Sequence, residues 1–204
     1  MNVSILDYNA GNLASVYNCF YNLGASVKII TDYKDIASAE RLVIPGVGSA
    51  KNSINYLKEK KMFNELKLFT ETERPILGIC LGLQIFANNL NEDGKSEGLG
   101  LIDADVEEIS IKNNSIISHI GWNKIEINEE ITKRLKVKEN TYFYFCHSYS
   151  LNIRKKAEII FSNTFFEKKI PALVIKDNFL CAQFHPEKSQ SAGSRLLENF
   201  LNRL

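Results

Sequence analysis

Residues 75–84 read Pro75-Ile-Leu-Gly78-Ile-Cys80-Leu-Gly82-Leu-Gln84, an apolar run that passes through a Gly-Ile-Cys-Leu-Gly step into the helix-like stretch LQIFANNL at 83–90. A short, wholly apolar run ending at glycine has the look of a strand buried on both faces. A strand, a tight turn and a helix with a candidate nucleophile at the turn is the layout of a nucleophile elbow, here with cysteine in the usual serine position. Glycines on either side are expected because the backbone crowds itself at such a turn. Unpaired amides at the helix start favour a thiolate, and that of Leu81 is placed to donate to an oxyanion. A lone cysteine is more commonly a core residue; the two glycines at these offsets favour the elbow.

Outward from this stretch, the first half alternates β-branched runs with helical ones. VSIL at 3–6, a helix over about 12–23 and VKII at 27–30 form a βαβ opening. In that helix Leu13, Val16, Tyr17, Phe20 and Leu23 recur at three- and four-residue spacing, with Asn12 expected to cap the start and Gly24 the end. LVIPG at 42–46 is a further strand, and the lysine-rich span from Ala50 to Phe69 reads as helical. Such alternation implies a mostly parallel sheet flanked by helices, an α/β fold. Beyond Asn91 the pattern changes. NEDGKSEGLG at 91–100 is a polar loop, 101–127 and 142–146 are β-rich with few helices, and 172–184 reads as two strands joined near Asp177-Asn178. This part is expected to form an antiparallel extension, closed by an amphipathic helix over 190–203 through Leu196, Leu197, Phe200 and Leu201. No repeat or linker divides the chain, so 1–204 is expected to be one domain.

Composition narrows the function classes. With 204 residues, 25 basic against 24 acidic side chains and a net charge of +1, the chain offers no electrostatic case for nucleic acid or an acidic membrane. Cys19, Cys80, Cys146 and Cys181 are scattered without a CxxC pair and read as reduced thiols. Neither a signal-peptide pattern nor an apolar run of membrane-spanning length is evident, and a cytoplasmic location is expected.

A cysteine nucleophile needs a base, and the histidines are His119, His147 and His185. His185 opens His185-Pro186-Glu187 after an apolar strand, so a carboxylate lies close enough to orient the ring and stabilise its cation. Cys80, His185 and Glu187 thus form a candidate triad. His147, in FYFCHSY, is the alternative base, although its neighbour Cys146 projects to the opposite face of a strand and makes a poor dyad with it. His119, in SHIGWN, reads as a loop or interface residue. No Cys/His set has metal-ligand spacing, and no metal is expected. Pro45-Gly46-Val47-Gly48 suits a second oxyanion donor, and Gln84, one helical turn after Cys80, faces the same side and can bind a polar substrate group.

Taken together, GICLGLQ, PGVG and HPE resemble the class I, triad-type glutamine amidotransferases. DYNAGNLASV, PGVGSA, SHIGWN, YFYFCHSY and QFHPEKSQSAGSRLLENF are similar to the glutaminase subunits of imidazole glycerol phosphate synthases, over residues 3 to about 202. The resemblance implies a glutaminase in which Cys80 attacks the glutamine carboxamide and His185 shuttles the proton. It implies that Gly46, Gly48 and Leu81 line the oxyanion and substrate site, that Gln84 contacts glutamine, and that Ser148 and Tyr149 hold its α-amino and carboxylate end. It implies a heterodimer with a (β/α)₈-barrel cyclase that receives the ammonia and yields imidazole glycerol phosphate and an aminoimidazole carboxamide ribotide for histidine biosynthesis, without a cofactor. Asn12, Trp122, Asn123, Tyr144 and Lys188 match the docking face and tunnel entrance, and the oxyanion loop is expected to complete itself only when the synthase holds its own substrate.

The sequence departs from the family pattern at Asn9, where glycine is usual, at Ala50, where an aromatic often stands, and at Ser118, where proline often precedes the histidine. None touches the triad, but Asn9 and Ser118 bear on the partner surface. Three competing readings follow. They are a relative supplying ammonia to a sugar-amidating synthase, a non-catalytic regulator of a barrel enzyme, and a stand-alone cysteine hydrolase such as a peptidase or a γ-glutamyl hydrolase.

Overall fold

A computed structural model describes residues 1–110, 117–127, 129–138, 140–155 and 159–203. In chain order the first half comprises β1 (Asn2–Leu6), α1 (Leu13–Asn22), β2 (Ser26–Ile30), α2 (Tyr33–Ser38), β3 (Leu42–Ile44), α3 (Ala50–Glu59), α4 (Met62–Thr70), β4 (Ile76–Ile79) and the single turn α5 (Leu81–Gln84). There follow β5 (Ala87–Leu90), β6 (Ser96–Glu97), β7 (Ile102–Glu108), β8 (His119–Glu126), α6 (Glu129–Leu135), β9 (Tyr142–His147), β10 (Tyr149–Ile153), β11 (Ile160–Phe166), β12 (Lys168–Lys176), β13 (Phe179–Ala182) and α7 (Gln190–Arg203).

Nine strands form one sheet in the order β2-β1-β3-β4-β13-β12-β11-β8-β9. Pairing is parallel from β2 through β13 and antiparallel from there to β9. This is the expected parallel sheet with its antiparallel extension. Successive residues divide between two cores. Leu42 and Ile44 of β3 face the layer built with α2, α3 and α4, while Val43, Leu77 and Ile79 face the layer of α1, α6 and α7. β4 is buried at every position, as a strand covered on both faces must be.

Several expectations need correction. The span from Ala50 to Phe69 is two helices, broken where Lys61 takes a left-handed φ of 60°. The stretch LQIFANNL is helical only through Gln84. Residues 98–102 supply competing bonds, Gly98 N–H to Asn88 O, Leu99 N–H to Ile85 O and Leu101 N–H to Phe86 O, which draw it out into β5. β5 belongs to a second, four-stranded sheet, β10-β7-β5-β6, and α6 is a further helix; neither was expected. Residues 111–116 of the β-rich span lie outside the described residues. Asn12 precedes α1 with a left-handed φ of 72°, and its side chain caps nothing. Gly24, with φ 81°, does close the helix, its N–H reaching Tyr21 O.

Candidate active site

β4 and β13 are parallel neighbours with Ile79 opposite Ala182, so the residues after each emerge together at the carboxyl edge of the sheet. The Cys80 N–H closes this edge on Ala182 O at 2.7 Å. Cys80 stands at φ 52°, ψ −102°, a strained conformation for a side chain with a Cβ. Its neighbours explain the glycines: a Cβ on Gly82 would come within 1.9 Å of Ile44 O, and one on Gly78 within 2.9 Å of Gly82 O. With only four residues, α5 carries little macrodipole; what it provides is the first amides of its turn, that of Leu81 among them, which have no intrahelical partner.

His185 is 1% exposed and anchored by its own N–H on Tyr144 O at 2.8 Å. Its Nδ1 meets Glu187 Oε1 at 2.8 Å, across the 3₁₀ turn Pro186–Lys188. The same Oε1 accepts from Asn12 Nδ2 at 2.7 Å. Asn12, matched by resemblance to the docking face, therefore sits against the carboxylate of the candidate triad. With Nδ1–H given to Glu187, Nε2 is the nitrogen left for a proton transfer, and it is buried without a hydrogen-bond partner among the described residues. Burial alone would lower the pKa of this ring, but the Cys80 sulfur and the Glu187 carboxylate outweigh it and raise the pKa to about 10. The pull of Cys80 is proximity rather than a formed bond, because its Sγ points at Cys146 O, 3.9 Å away, and accepts from Gln183 Nε2 at 3.6 Å. Catalytic hydrogen bonds are often unmade before substrate arrives.

A cavity of about 270 Å³ opens over Cys80. Val47, Gly48, Leu81, Gln84 and Glu92 line it together with Cys146, His147, Ser148 and Tyr149. Hollows of about 500 and 490 Å³ elsewhere, by Thr70–Glu73 and by Tyr33 and Phe63, are lined by neither cysteine nor histidine among the described residues. Gly46 lies beneath the cavity wall, where a Cβ would strike Tyr8 Oη at 2.5 Å and Leu81 Cβ at 2.7 Å. Gln84 is buried, not solvent-exposed, and its Nε2 donates to Tyr149 O at 2.9 Å and to Gln183 Oε1 at 3.4 Å. Ser148 Oγ is 2.7 Å from Ser118 Oγ, and Tyr149 Oη donates to Glu108 Oε1 at 2.9 Å.

The remaining histidines form a different site. His147 is buried, with Nδ1 2.8 Å from Tyr149 O. Burial is the main reason its pKa falls to about 3. His119 is neither a loop nor an interface residue. It opens β8 at 2% exposure, stacked between Phe145 and Phe166 with centroids 4.4 and 4.2 Å away, and burial lowers its pKa to about 4.

On the outer face of β8 and β9, Trp122 is 47% exposed and meets Tyr144 edge-on at 6.1 Å, with Lys188 Nζ 5.9 Å from the Tyr144 ring. Trp122 is thus no core residue. Asn123 points elsewhere, donating to Phe165 O at 2.8 Å. The departures have local reasons. Asn9 stands at φ 61°, a left-handed position that glycine or asparagine tolerates. Ser118 replaces a ring with the hydroxyl that reaches Ser148, and Ala50 is fully buried with its N–H on Glu92 Oε2 at 2.5 Å.

Sequence reasoning missed Tyr8, Glu92 and Gln183. The buried Tyr8 hydroxyl donates to Pro45 O and holds the PGVG loop. Glu92 is the carboxylate within the cavity wall, and burial, with Asp93 beside it, raises its pKa despite the Ala50 N–H. Tyr8 and Gln183 each follow a strand by one or two residues at the carboxyl edge, a placement that marks them as candidates once strand order is known.

A strained cysteine elbow, a buried His–Glu pair and a small cavity on this α/β sheet define a class. The family model for class I glutamine amidotransferases matches residues 4–204, and the chain belongs to that family. Within it, the chain is 38% identical over 198 residues to the imidazole glycerol phosphate synthase subunit HisH of Caldanaerobacter subterraneus, covering 97% of this chain and 96% of that one. It is 39% identical over 200 residues to subunit HisH 1 of Campylobacter jejuni, with 98% of each covered. Among solved structures, a glutamine amidotransferase superposes with a TM-score of 0.74 at 19% identity, over 98% of this chain and 96% of that one. Another glutamine amidotransferase, from Thermotoga maritima, gives a TM-score of 0.70 at 15% identity, over 100% and 97%. At such identities these two attest the fold alone. Among the described residues, no helix is long and apolar enough to cross a membrane.

Proposed function

We propose that this chain is the glutaminase subunit of an imidazole glycerol phosphate synthase, acting in the cytoplasm for histidine biosynthesis. The observation that carries the chemistry is the set Cys80, His185, Glu187, with Glu187 Oε1 at 2.8 Å from Nδ1, Nε2 unbonded among the described residues and the Cys80 sulfur near enough to raise the pKa of the ring. The names of relatives at 38–39% identity support the choice of synthase. A sugar-amidating partner draws no support from these relatives.

In this reading His185 Nε2 takes the Cys80 proton as sulfur attacks the carboxamide carbon of glutamine. The amides of Leu81 and of the Gly46–Gly48 loop receive the oxyanion. The C–N bond then breaks, the imidazolium gives its proton to the departing amine, and ammonia leaves a γ-glutamyl thioester. Water, deprotonated by the same nitrogen, attacks the thioester carbonyl; sulfur regains the proton and glutamate departs. Glu187 holds the ring and stabilises its cation throughout. Gln84, Ser148, Tyr149 and Glu92 surround the substrate, and Glu92 suits its α-ammonium. Ammonia passes to a (β/α)₈-barrel cyclase docked over Trp122, Tyr144 and Lys188, with Asn12 and Asn123 behind that face. No cofactor enters.

The test is glutamate release from glutamine by the chain alone, and with the cyclase and its nucleotide substrate. A rate that depends on the partner and vanishes in Cys80→Ala is expected. A cyclase without effect would remove the synthase assignment, and full activity in Cys80→Ala would remove the mechanism.

A further inference from the structure

His119 and His147 have no part in the proton transfers above, yet they occupy buried positions that an apolar pair would fill at less desolvation cost. Their hydrogen bonds have one consistent direction. A carbonyl only accepts, so His147 Nδ1 carries the proton that meets Tyr149 O at 2.8 Å. In a neutral ring Nε2 is then an acceptor, and His119 Nδ1, 3.2 Å away, must donate to it. That leaves His119 Nε2 as an acceptor, facing Asn123 Nδ2 at 3.3 Å. Each tautomer is forced by the one before it. A proton added to either ring would set N–H against N–H.

The chain of bonds ends in the substrate cavity. Tyr149 O, held by His147, also takes Gln84 Nε2 at 2.9 Å. With its nitrogen committed there and to Gln183 Oε1, Gln84 has its Oε1 left to offer a ligand, an acceptor that reads an N–H. Gln183, fully buried, uses its remaining amide nitrogen on the Cys80 sulfur at 3.6 Å. One run of polar contacts thus extends from Asn123 in β8 to the nucleophile. Phe145 and Phe166 stack on His119, which is 2% exposed, and restrict rotation of its ring near the outer end of the run.

We propose that His119 and His147 are positioning residues of the glutamine site. As a neutral, one-directional relay they fix the Tyr149 carbonyl, and through it the orientation of Gln84 and Gln183 toward the substrate amide and the Cys80 sulfur. The inference rests on the glutaminase reading for its substrate, but the relay itself is testable without it.

Nitrogen-15 histidine spectra of the intact chain at neutral pH decide the relay directly: both rings are expected neutral and protonated on Nδ1. A charged ring, or an Nε2–H tautomer at either position, overturns it. Steady-state glutaminase kinetics with the cyclase present then test the positioning. His147→Phe is expected to raise KM for glutamine about tenfold and His119→Phe about threefold, with kcat changing less, the worth of one or two hydrogen bonds. His147→Asn, whose amide keeps a donor at the Nδ1 position, is expected to restore KM to within about threefold of the native value. An unchanged KM in both phenylalanine variants overturns the proposal. So does equal loss in His147→Phe and His147→Asn, which marks a packing role only. If the native complex releases no glutamate, the glutaminase reading fails, and the spectra still decide the relay.

Discussion

Two histidine sites adjoin Cys80, and the protein treats them in opposite ways. His185 shares its pocket with the Glu187 carboxylate, which holds the ring ready to carry charge. His147 and His119 share theirs with Phe145, Phe166 and one another, and burial keeps both neutral. All three rings are almost fully buried, so burial does not assign the roles. The partner on Nδ1 does: the Glu187 carboxylate makes His185 a base whose cation is stabilised, whereas the Tyr149 carbonyl makes His147 a fixed donor and the neutral His147 ring does the same for His119.

The largest expected break between the two sites comes from deleting each ring. His185→Ala should lower kcat for glutamate release by about a thousandfold or more, since it removes the base that takes the thiol proton. His147→Asn should stay near the native rate. Single-turnover thioester formation measures both, and equal losses would mean that the base has been misassigned. Glu187→Gln comes next, with an expected loss of about ten- to a hundredfold, because the amide can still accept from His185 Nδ1 and Asn12 Nδ2 but no longer stabilises the cation. The same substitution should shift the alkaline limb of the rate profile to lower pH. An unmoved limb would show that Glu187 orients without charge stabilisation.

The difference between the two sites was half legible in the sequence. His185-Pro186-Glu187 carries its carboxylate two residues away, so base and orienting group read off one short motif. The elbow likewise needs only local glycines. His119 and His147 are 28 residues apart and meet only because β8 and β9 pair with those two residues opposite each other. No local pattern encodes that register, so His119 passed for an interface residue. Asn12 and Glu187 are likewise brought together by α1 packing beside the 3₁₀ turn Pro186–Lys188. The parallel sheet was legible from alternating apolar runs, and the second sheet was not. Whether 85–90 continues a helix or becomes a strand is settled by bonds from 98–102, which propensity does not contain.

β8 carries the contrast outward, because alternate residues face opposite sides: His119 lies inside, and Trp122 lies outside at 47% exposure. Trp122→Ala should leave the melting temperature of the isolated chain almost unchanged, as exposed substitutions cost within about 0.5 kcal/mol. It should weaken cyclase binding by about 2 kcal/mol, the worth of an aromatic anchor at an interface. Calorimetric titration of the cyclase reads the effect. Native affinity in the variant would move the docking face elsewhere.

The smallest effect, a few degrees in melting temperature, separates the two histidine sites by sign. A ring whose folded pKa lies above its unfolded value of about 6.5 stabilises fully below that value and loses the contribution as pH rises through its folded pKa. For His185 the loss therefore runs from about pH 6.5 up to about 10. His119 and His147, lowered to about 4 and about 3, bind fewer protons folded than unfolded, so they cost stability as pH falls below about 6.5. Carboxylates titrate in the acid range too, so differences between proteins carry the information. His185→Gln should flatten the decline in melting temperature between about pH 7 and 10, and His119→Phe should reduce the decline between about pH 6 and 4. Cys80→Ala should remove only part of the alkaline slope, since Glu187 still favours the imidazolium. The slope that remains measures what the carboxylate contributes without the sulfur. A slope untouched in His185→Gln would place the alkaline titration on another group and leave the two histidine sites alike.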